Sequence, residues 1–274
     1  MSEENKKVVI SKDTVTRLLS DVKDMIKNPL ISENIYYVHD DADMLKGYAL
    51  IFGPKDCVYE GGAYFFEFNF PSNYPYSPPR VTYHTNDGRT RFNPNLYRNG
   101  KVCVSVLNTW KGEQWSSCQT IRSVLLTLLT LFHNDPIVNE PGFKKDDPEA
   151  EKYNEILEFK NYEVAIVGML TKKYLPHSFL PFYTFIVDHF VKNADKIKKH
   201  LEKKVKFNNF LNDGSVKIVQ TRIYAMCIQI DYESLYNFFM ECCYKPLIVN
   251  KTSNFCVDNV FDIDENNNII VKVD

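Results

Sequence analysis

Arg91-Phe92-Asn93-Pro94-Asn95-Leu96-Tyr97-Arg98-Asn99-Gly100-Lys101-Val102-Cys103 is the most informative stretch of this 274-residue chain. A proline between two asparagines makes a rigid turn whose side-chain amides bond nearby backbone. Eight residues after Asn95 stands Cys103, among apolar neighbours. Asn99-Gly100 can reverse the chain between them. That reversal would bring the Asn95 amide toward the Cys103 sulfur. A nucleophilic thiol beside an amide donor suits acyl transfer through a thioester, because the sulfur carries the acyl group and the amide stabilises the oxyanion. A turn-building asparagine followed by a core cysteine fits the same local spacing, so the neighbouring segments have to decide.

Upstream, residues 12–27 have Val15, Leu18, Leu19, Val22 and Ile26 at helical spacing, and Asn28-Pro29 ends the helix. Three strands follow: Tyr48–Phe52, closed by Gly53-Pro54; Ala63–Phe70, stopped by Pro71; and Arg80–Thr85. An irregular stretch runs from Asn86 to about Cys118. A helix is expected over about 119–132, with Ile121, Val124, Leu125, Leu128, Leu129 and Phe132 on its apolar side. Another is expected from Pro148 to about Tyr174, opened by Asp146-Asp147-Pro148-Glu149, where acids and a proline suit a helix start. Two more helices are expected over about 182–192 and 194–205, with six lysines between Lys196 and Lys206 read as a solvated face. Val216–Asp231 fits strand or helix, Leu235–Cys242 looks helical, and Val260–Val273 alternates around a polar turn like a β-hairpin.

Twelve of 13 prolines lie at or before Pro181 and nine of ten glycines at or before Gly168. This loss of breakers marks a boundary near residue 180. With 33 Lys+Arg against 35 Asp+Glu and a net charge of −2, broad electrostatic capture of nucleic acid is not expected. A hydrophobic fraction of 44% suits a buried core and excludes a disordered chain. Apolar runs such as Val124–Phe132 and Phe179–Phe190 fall short of the roughly 20 residues of a membrane span. The charged start Met1–Lys7 lacks the apolar core of a secretory signal. Seven cysteines, an odd number without a CxxC pair, suggest free thiols in a reducing compartment and no metal site. Cys242, Cys243 and Cys256 are expected to be buried apolar residues. The expected localisation is cytoplasmic, nuclear or both.

Three blocks in order resemble the ubiquitin-conjugating (E2) family. Phe52–Tyr64, with Gly53-Pro54 and Tyr59-Glu60-Gly61-Gly62, is similar to the family's Gly-Pro…Tyr-x-Gly-Gly pattern. Phe70-Pro71-Ser72-Asn73-Tyr74-Pro75-Tyr76-Ser77-Pro78-Pro79-Arg80-Val81 is similar to its Phe-Pro-x-x-Tyr-Pro-x-x-Pro-Pro-x-Val block. Asn93-Pro94-Asn95-Leu96 with Gly100–Cys103 resembles its His-Pro-Asn turn and active-site cysteine, and Trp115 precedes an Ile/Leu-rich helix as it does there. Arg91–Tyr97, Cys103–Gly112 and Asn139-Glu140-Pro141-Gly142 most resemble the large Bruce/Apollon-type and E2/E3-hybrid subgroup.

The resemblance implies an α+β fold: a four-stranded antiparallel meander with an N-terminal helix and C-terminal helices, plus a mainly helical C-terminal extension. It assigns residues 1–175 to the conjugating core and 176–205 to a helical extension. Residues 206–274 match nothing in the family and keep an unknown role. As a function, it implies that the chain accepts ubiquitin from an E1 as a thioester on Cys103 and passes it to lysine of a protein substrate, without a cofactor of its own. Asn95 then stabilises the oxyanion. Asn93, where most of the family has His, braces the turn. Glu140 matches an acidic gate residue that positions or deprotonates the acceptor lysine. Tyr76, Ser117 and Cys118 align with the surface for RING-type E3 ligases, although Ser117 and Cys118 replace the usual Pro-Ala. Arg17 matches a position used for E1 contact. Ser105 replaces a common Asp, and Trp110 is expected to be a packed anchor in a lengthened loop. The alternatives are the same chemistry with a ubiquitin-like modifier, a non-catalytic E2-variant scaffold, and a cysteine hydrolase, which would need a His base beside Cys103.

Overall fold

The computed structural model describes residues 10–212 and 216–249, with two short strands at 261–263 and 269–271. The chain opens with α1 (Lys12–Lys27), capped by the Ser11 hydroxyl accepting from the Thr14 N–H. Its buried stripe is Thr14, Leu18, Asp21 and Met25, while Leu19 and Ile26 of the expected apolar face are exposed. The rotation has a polar cause. The Thr14 hydroxyl donates to the Ser72 carbonyl, and Asp21 accepts from Tyr74 and Arg17, so the buried polar groups are satisfied.

Four strands follow as an antiparallel meander, β1 (Ile35–His39), β2 (Lys46–Phe52), β3 (Ala63–Asn69) and β4 (Arg80–Tyr83), in sequential order. Ile35 pairs with Ile51, Phe52 with Ala63, and Phe66 with Tyr83. The first strand has no glycine or proline turn before it, and only the family resemblance required its presence. Aromatic residues at successive β3 positions reflect burial on both faces. Phe66 faces Tyr83 and Phe132 on one side, and Phe65 faces Phe179 and Phe182 on the other.

Helix α2 (Ile121–Leu129) starts at Thr120, which with Ser123 forms a reciprocal capping pair. Asp147 caps α3 (Pro148–Lys160) through the Glu149 N–H. The chain then continues as wide π turns over Asn161–Val167 and one last helical turn, α4 (Gly168–Leu170). The expected helix to Tyr174 therefore stops early; Lys172, with φ of 59°, turns the chain out of it. The two helices expected over 182–205 are one, α5 (Tyr183–Asn212). Nothing between them breaks a helix, since the Asn193 amide donates back to the His189 carbonyl. Four of the six expected lysines of α5, Lys196, Lys199, Lys203 and Lys206, are exposed as the sequence implied, and Lys196, Lys198 and Lys204 pair with Glu60, Glu202 and Glu158.

Helix α5 starts against the outer face of the sheet, where Phe185 meets Tyr36 and the His189 ring stacks on Phe52 at 3.9 Å. Beyond it, Val216–Asp231 resolves as a hairpin of β5 (Lys217–Thr221) and β6 (Met226–Ile230). Helix α6 (Tyr232–Phe239) follows and runs into π turns over Met240–Val249. The expected terminal hairpin is present as β7 (Phe261–Ile263) paired antiparallel with β8 (Ile269–Val271). The extension is thus mainly helical, with a β-hairpin set into it. Buried residues from Leu18 to Tyr244 form one continuous core. Cys243 is buried, Cys242 is exposed, and Cys256 lies outside the described residues. Among the described residues no helix is long and apolar enough to cross a membrane, and no group of His, Cys, Asp and Glu is placed to hold a metal ion.

Candidate active site

Cys103 sits where the chain returns along the free edge of β4. Lys101 bridges to Thr82, Val102 bridges to Leu96, and the Tyr83 N–H donates to the Gly100 carbonyl. Gly100 makes that return: its φ is +85°, and a Cβ there would stand 2.9 Å from the Tyr83 carbonyl oxygen. The Asn99-Gly100 reversal expected from the sequence is therefore the device that delivers the cysteine.

Two hydrogen bonds lock Cys103 to Asn95. The Cys103 N–H donates to the Asn95 carbonyl at 2.9 Å, and Asn95 Nδ2 donates to the Cys103 carbonyl at 2.6 Å. An amide nitrogen carries two protons, so the bond to the Cys103 carbonyl leaves the second Nδ2–H uncommitted. Cys103 is 2% exposed and Asn95 8% exposed, so both side chains are largely shielded from water. Asn95 Oδ1 is buried with no hydrogen-bond partner.

Asn93 is fully buried. Its Oδ1 accepts from the Asn95 N–H at 2.9 Å, and its Nδ2 donates to the Leu131 carbonyl at 2.8 Å and to Tyr59 at 3.2 Å. It shapes the turn and does not itself reach the reacting atoms. Arg91, absent from the sequence-based site, does the same from outside: Nε donates to the Asn93 carbonyl and Nη2 to the Pro94 carbonyl. Its guanidinium lies between the Tyr97 ring, 3.3 Å away, and the Tyr224 ring, 4.8 Å away.

Glu140 reaches this network through its neighbour. Asn139 Nδ2 lies 3.5 Å from Asn93 Oδ1, and Glu140 Oε2 accepts a 2.6 Å hydrogen bond from the Tyr224 hydroxyl. Tyr224 belongs to the tip of the β5–β6 hairpin, a region without motif. Its strands show period-2 burial at Val219, Thr221, Ile228 and Ile230.

Elsewhere the Tyr74–Tyr76 and Trp115–Cys118 loops are tied together. Trp115 Nε1 donates to the Pro75 carbonyl at 2.7 Å and Arg17 Nη1 to the Ser117 carbonyl at 2.7 Å. Tyr76, 67% exposed, therefore shares a surface with exposed Ser117 and Cys118. Arg17 is not a free surface charge: it is spent on Asp21, Ser117 and Gln119. Trp110 is not the packed anchor expected, being 39% exposed. Leu107 and Val104 fill the core beneath that loop, and the Thr109 hydroxyl ties it to Val102. Among the described residues no histidine hydrogen-bonds Cys103, so the base a hydrolase needs is not at the sulfur.

A family model described as ubiquitin-conjugating enzyme matches residues 17–164. The chain is 40% identical over 187 residues to ubiquitin-conjugating enzyme E2 Z of Danio rerio, covering 64% of this chain and 56% of that protein. It is 40% identical over 181 residues to the Homo sapiens E2 Z, covering 62% and 51%. A dual E2 ubiquitin-conjugating enzyme/E3 ubiquitin-protein ligase, BIRC6 of Homo sapiens, is 41% identical over 126 residues, covering 43% of this chain and 3% of that protein. The hybrid likeness read from the sequence has its counterpart in this match, but the E2 Z proteins cover more of the chain. The chain spans about half the length of these E2 Z relatives. With the matched segment taking in the whole meander, the Asn93–Asn95 turn, Cys103 and Glu140, the chain belongs to the ubiquitin-conjugating enzyme family.

Proposed function

We propose that this chain accepts ubiquitin from an E1 as a thioester on Cys103 and transfers it to a lysine of a protein substrate. The observation that carries the reading is the pair of hydrogen bonds holding Asn95 against Cys103. In the first step the Cys103 sulfur attacks the carbonyl of the E1-bound ubiquitin thioester. A new S–C bond forms, the E1 sulfur leaves as thiolate, and the Cys103 proton passes to that thiolate or to water. In the second step a lysine amine attacks the Cys103 thioester. The oxyanion takes the free Nδ2–H of Asn95, the C–S bond breaks, and Cys103 leaves as thiolate. The amine's surplus proton goes to the Glu140 carboxylate or to water. Acceptor lysines are protonated at neutral pH, with pKa about 10.4, so a nearby carboxylate is useful.

The exposed Tyr76, Ser117 and Cys118 support docking of an E3 ligase at that face, with Tyr76 as the aromatic anchor. The exposed thiols Cys118, Cys227 and Cys242 support work in a reducing compartment, cytoplasm or nucleus. The test is a chase. Protein charged with ubiquitin is freed of ATP and given free lysine. Loss of the thioester with matching gain of ubiquityl-lysine is expected. Release of free ubiquitin alone, at the rate seen without lysine, contradicts transfer to lysine.

A further inference from the structure

The hairpin tip at residues 222–225 lies outside the matched family segment, yet it is fastened to the active-site turn from several sides. Glu149, 4% exposed, accepts from the backbone N–H groups of Arg222 and Ile223 at 2.5 and 3.3 Å. Arg98 Nη2 donates to the Tyr224 carbonyl at 2.7 Å, and the Arg91 N–H points at the Met226 sulfur at 3.4 Å. Tyr224 and Ala225 hold φ of +60° and +46°, a conformation non-glycine residues adopt only when their surroundings compensate. That backbone turns the phenol to Glu140 while its carbonyl faces Arg98.

We propose that Tyr224 is a positioning residue for the transfer step: its hydroxyl holds the Glu140 carboxylate in a fixed orientation, and its ring covers the Arg91 guanidinium that braces the Asn93–Asn95 turn. This rests on the conjugating-enzyme reading above. Burial, then the hydrogen bond to Glu140, pushes the Tyr224 hydroxyl well above its ordinary pKa, so it stays a donor at every working pH. Among the described residues, the charged and titratable groups around the pair include Arg91 and Tyr97 on the turn segment, Arg98 at the Tyr224 carbonyl, Tyr153 and Glu149 on α3, Arg222 on the hairpin, and His133, 3.4 Å from Asn139. A role confined to packing would need only the ring.

The test is single-turnover discharge of the full-length Cys103–ubiquitin thioester to free lysine across the neutral pH range, for wild type, Y224F, E140Q and Y224F/E140Q. Phenylalanine keeps the ring on Arg91, and E1 charging together with thermal unfolding reads whether the fold survives. Y224F should discharge about tenfold more slowly at neutral pH while E1 charging is unchanged, the loss of one hydrogen bond to a charged group. The double variant should be no slower than E140Q, because both changes act through one carboxylate. Y236F, which removes a similar tyrosine–carboxylate bond to Glu202 away from the site, should match wild type. Y224F that discharges with the wild-type rate and pH profile, or losses that multiply in the double variant, would overturn the inference alone. A wild type that no E1 charges would overturn the conjugating-enzyme reading and the inference with it.

Discussion

One proton of the Asn95 amide is committed to the Cys103 carbonyl, and the other is the one on which the proposed transfer step would depend. Removing it with Asn95→Ala should slow discharge to lysine by about 10²–10³-fold, the usual cost of one oxyanion donor at roughly 2.7–4 kcal/mol. Charging should fall much less, so the ratio of the two rates is the measurement; an equal loss in both would point to a turn that has collapsed. Asn93→Ala acts differently. It strands the Asn95 N–H and the Leu131 carbonyl, and should lower stability by about 1–3 kcal/mol in chemical denaturation. The motif residues were legible because turn chemistry and a thiol leave a local signature. Tyr224, Arg91 and Glu149 were not, because each acts across 70 residues or more, or through backbone atoms that no side-chain pattern records.

Among the elements, α5 is held to α3 by one acid. Glu158 accepts from His200 at 2.9 Å and Lys204 at 2.5 Å. Burial pushes its carboxyl up, but these two partners outweigh it and hold it below the usual carboxylate range. A depressed carboxylate stabilises the fold at pH above its ordinary value and loses that contribution as pH falls through the depressed one. The denaturation midpoint of the wild type should therefore fall on acidification through that range, and Glu158→Gln should be weaker at neutral pH and flatter toward acid. An unchanged slope would mean the pair does not hold the helix. The sequence reading ended one helix at residue 192 and began the next at 194, whereas the Asn193 side chain between them satisfies the His189 carbonyl within the turn. The β5–β6 hairpin stayed open between strand and helix because its turn, Arg222–Ala225, has none of the glycines that usually mark one.

At the scale of the whole molecule, the loss of prolines and glycines near residue 180 marks a change of architecture, but the core runs through it. Phe239 is fully buried, edge-on to Phe190 of α5 at 5.9 Å. Phe239→Ala should cost about 3–5 kcal/mol, and the wild type should unfold in a single transition. Two transitions, with only the later one moved by the substitution, would mean that the elements after α4 fold apart. The conjugating fold was legible from its three blocks. The seating of the later hairpin on the turn was not, since contacts between distant segments leave no pattern in either one. The most direct test of the central claim is charging itself. Wild type and Cys103→Ala are incubated with E1, ATP and ubiquitin, with ubiquitin-like modifiers in parallel, and resolved without reductant. A ubiquitin adduct that reductant removes and that Cys103→Ala lacks is the expected result. An adduct with another modifier only would reassign the cargo, and no adduct with any modifier, or one that persists in Cys103→Ala, would contradict the account.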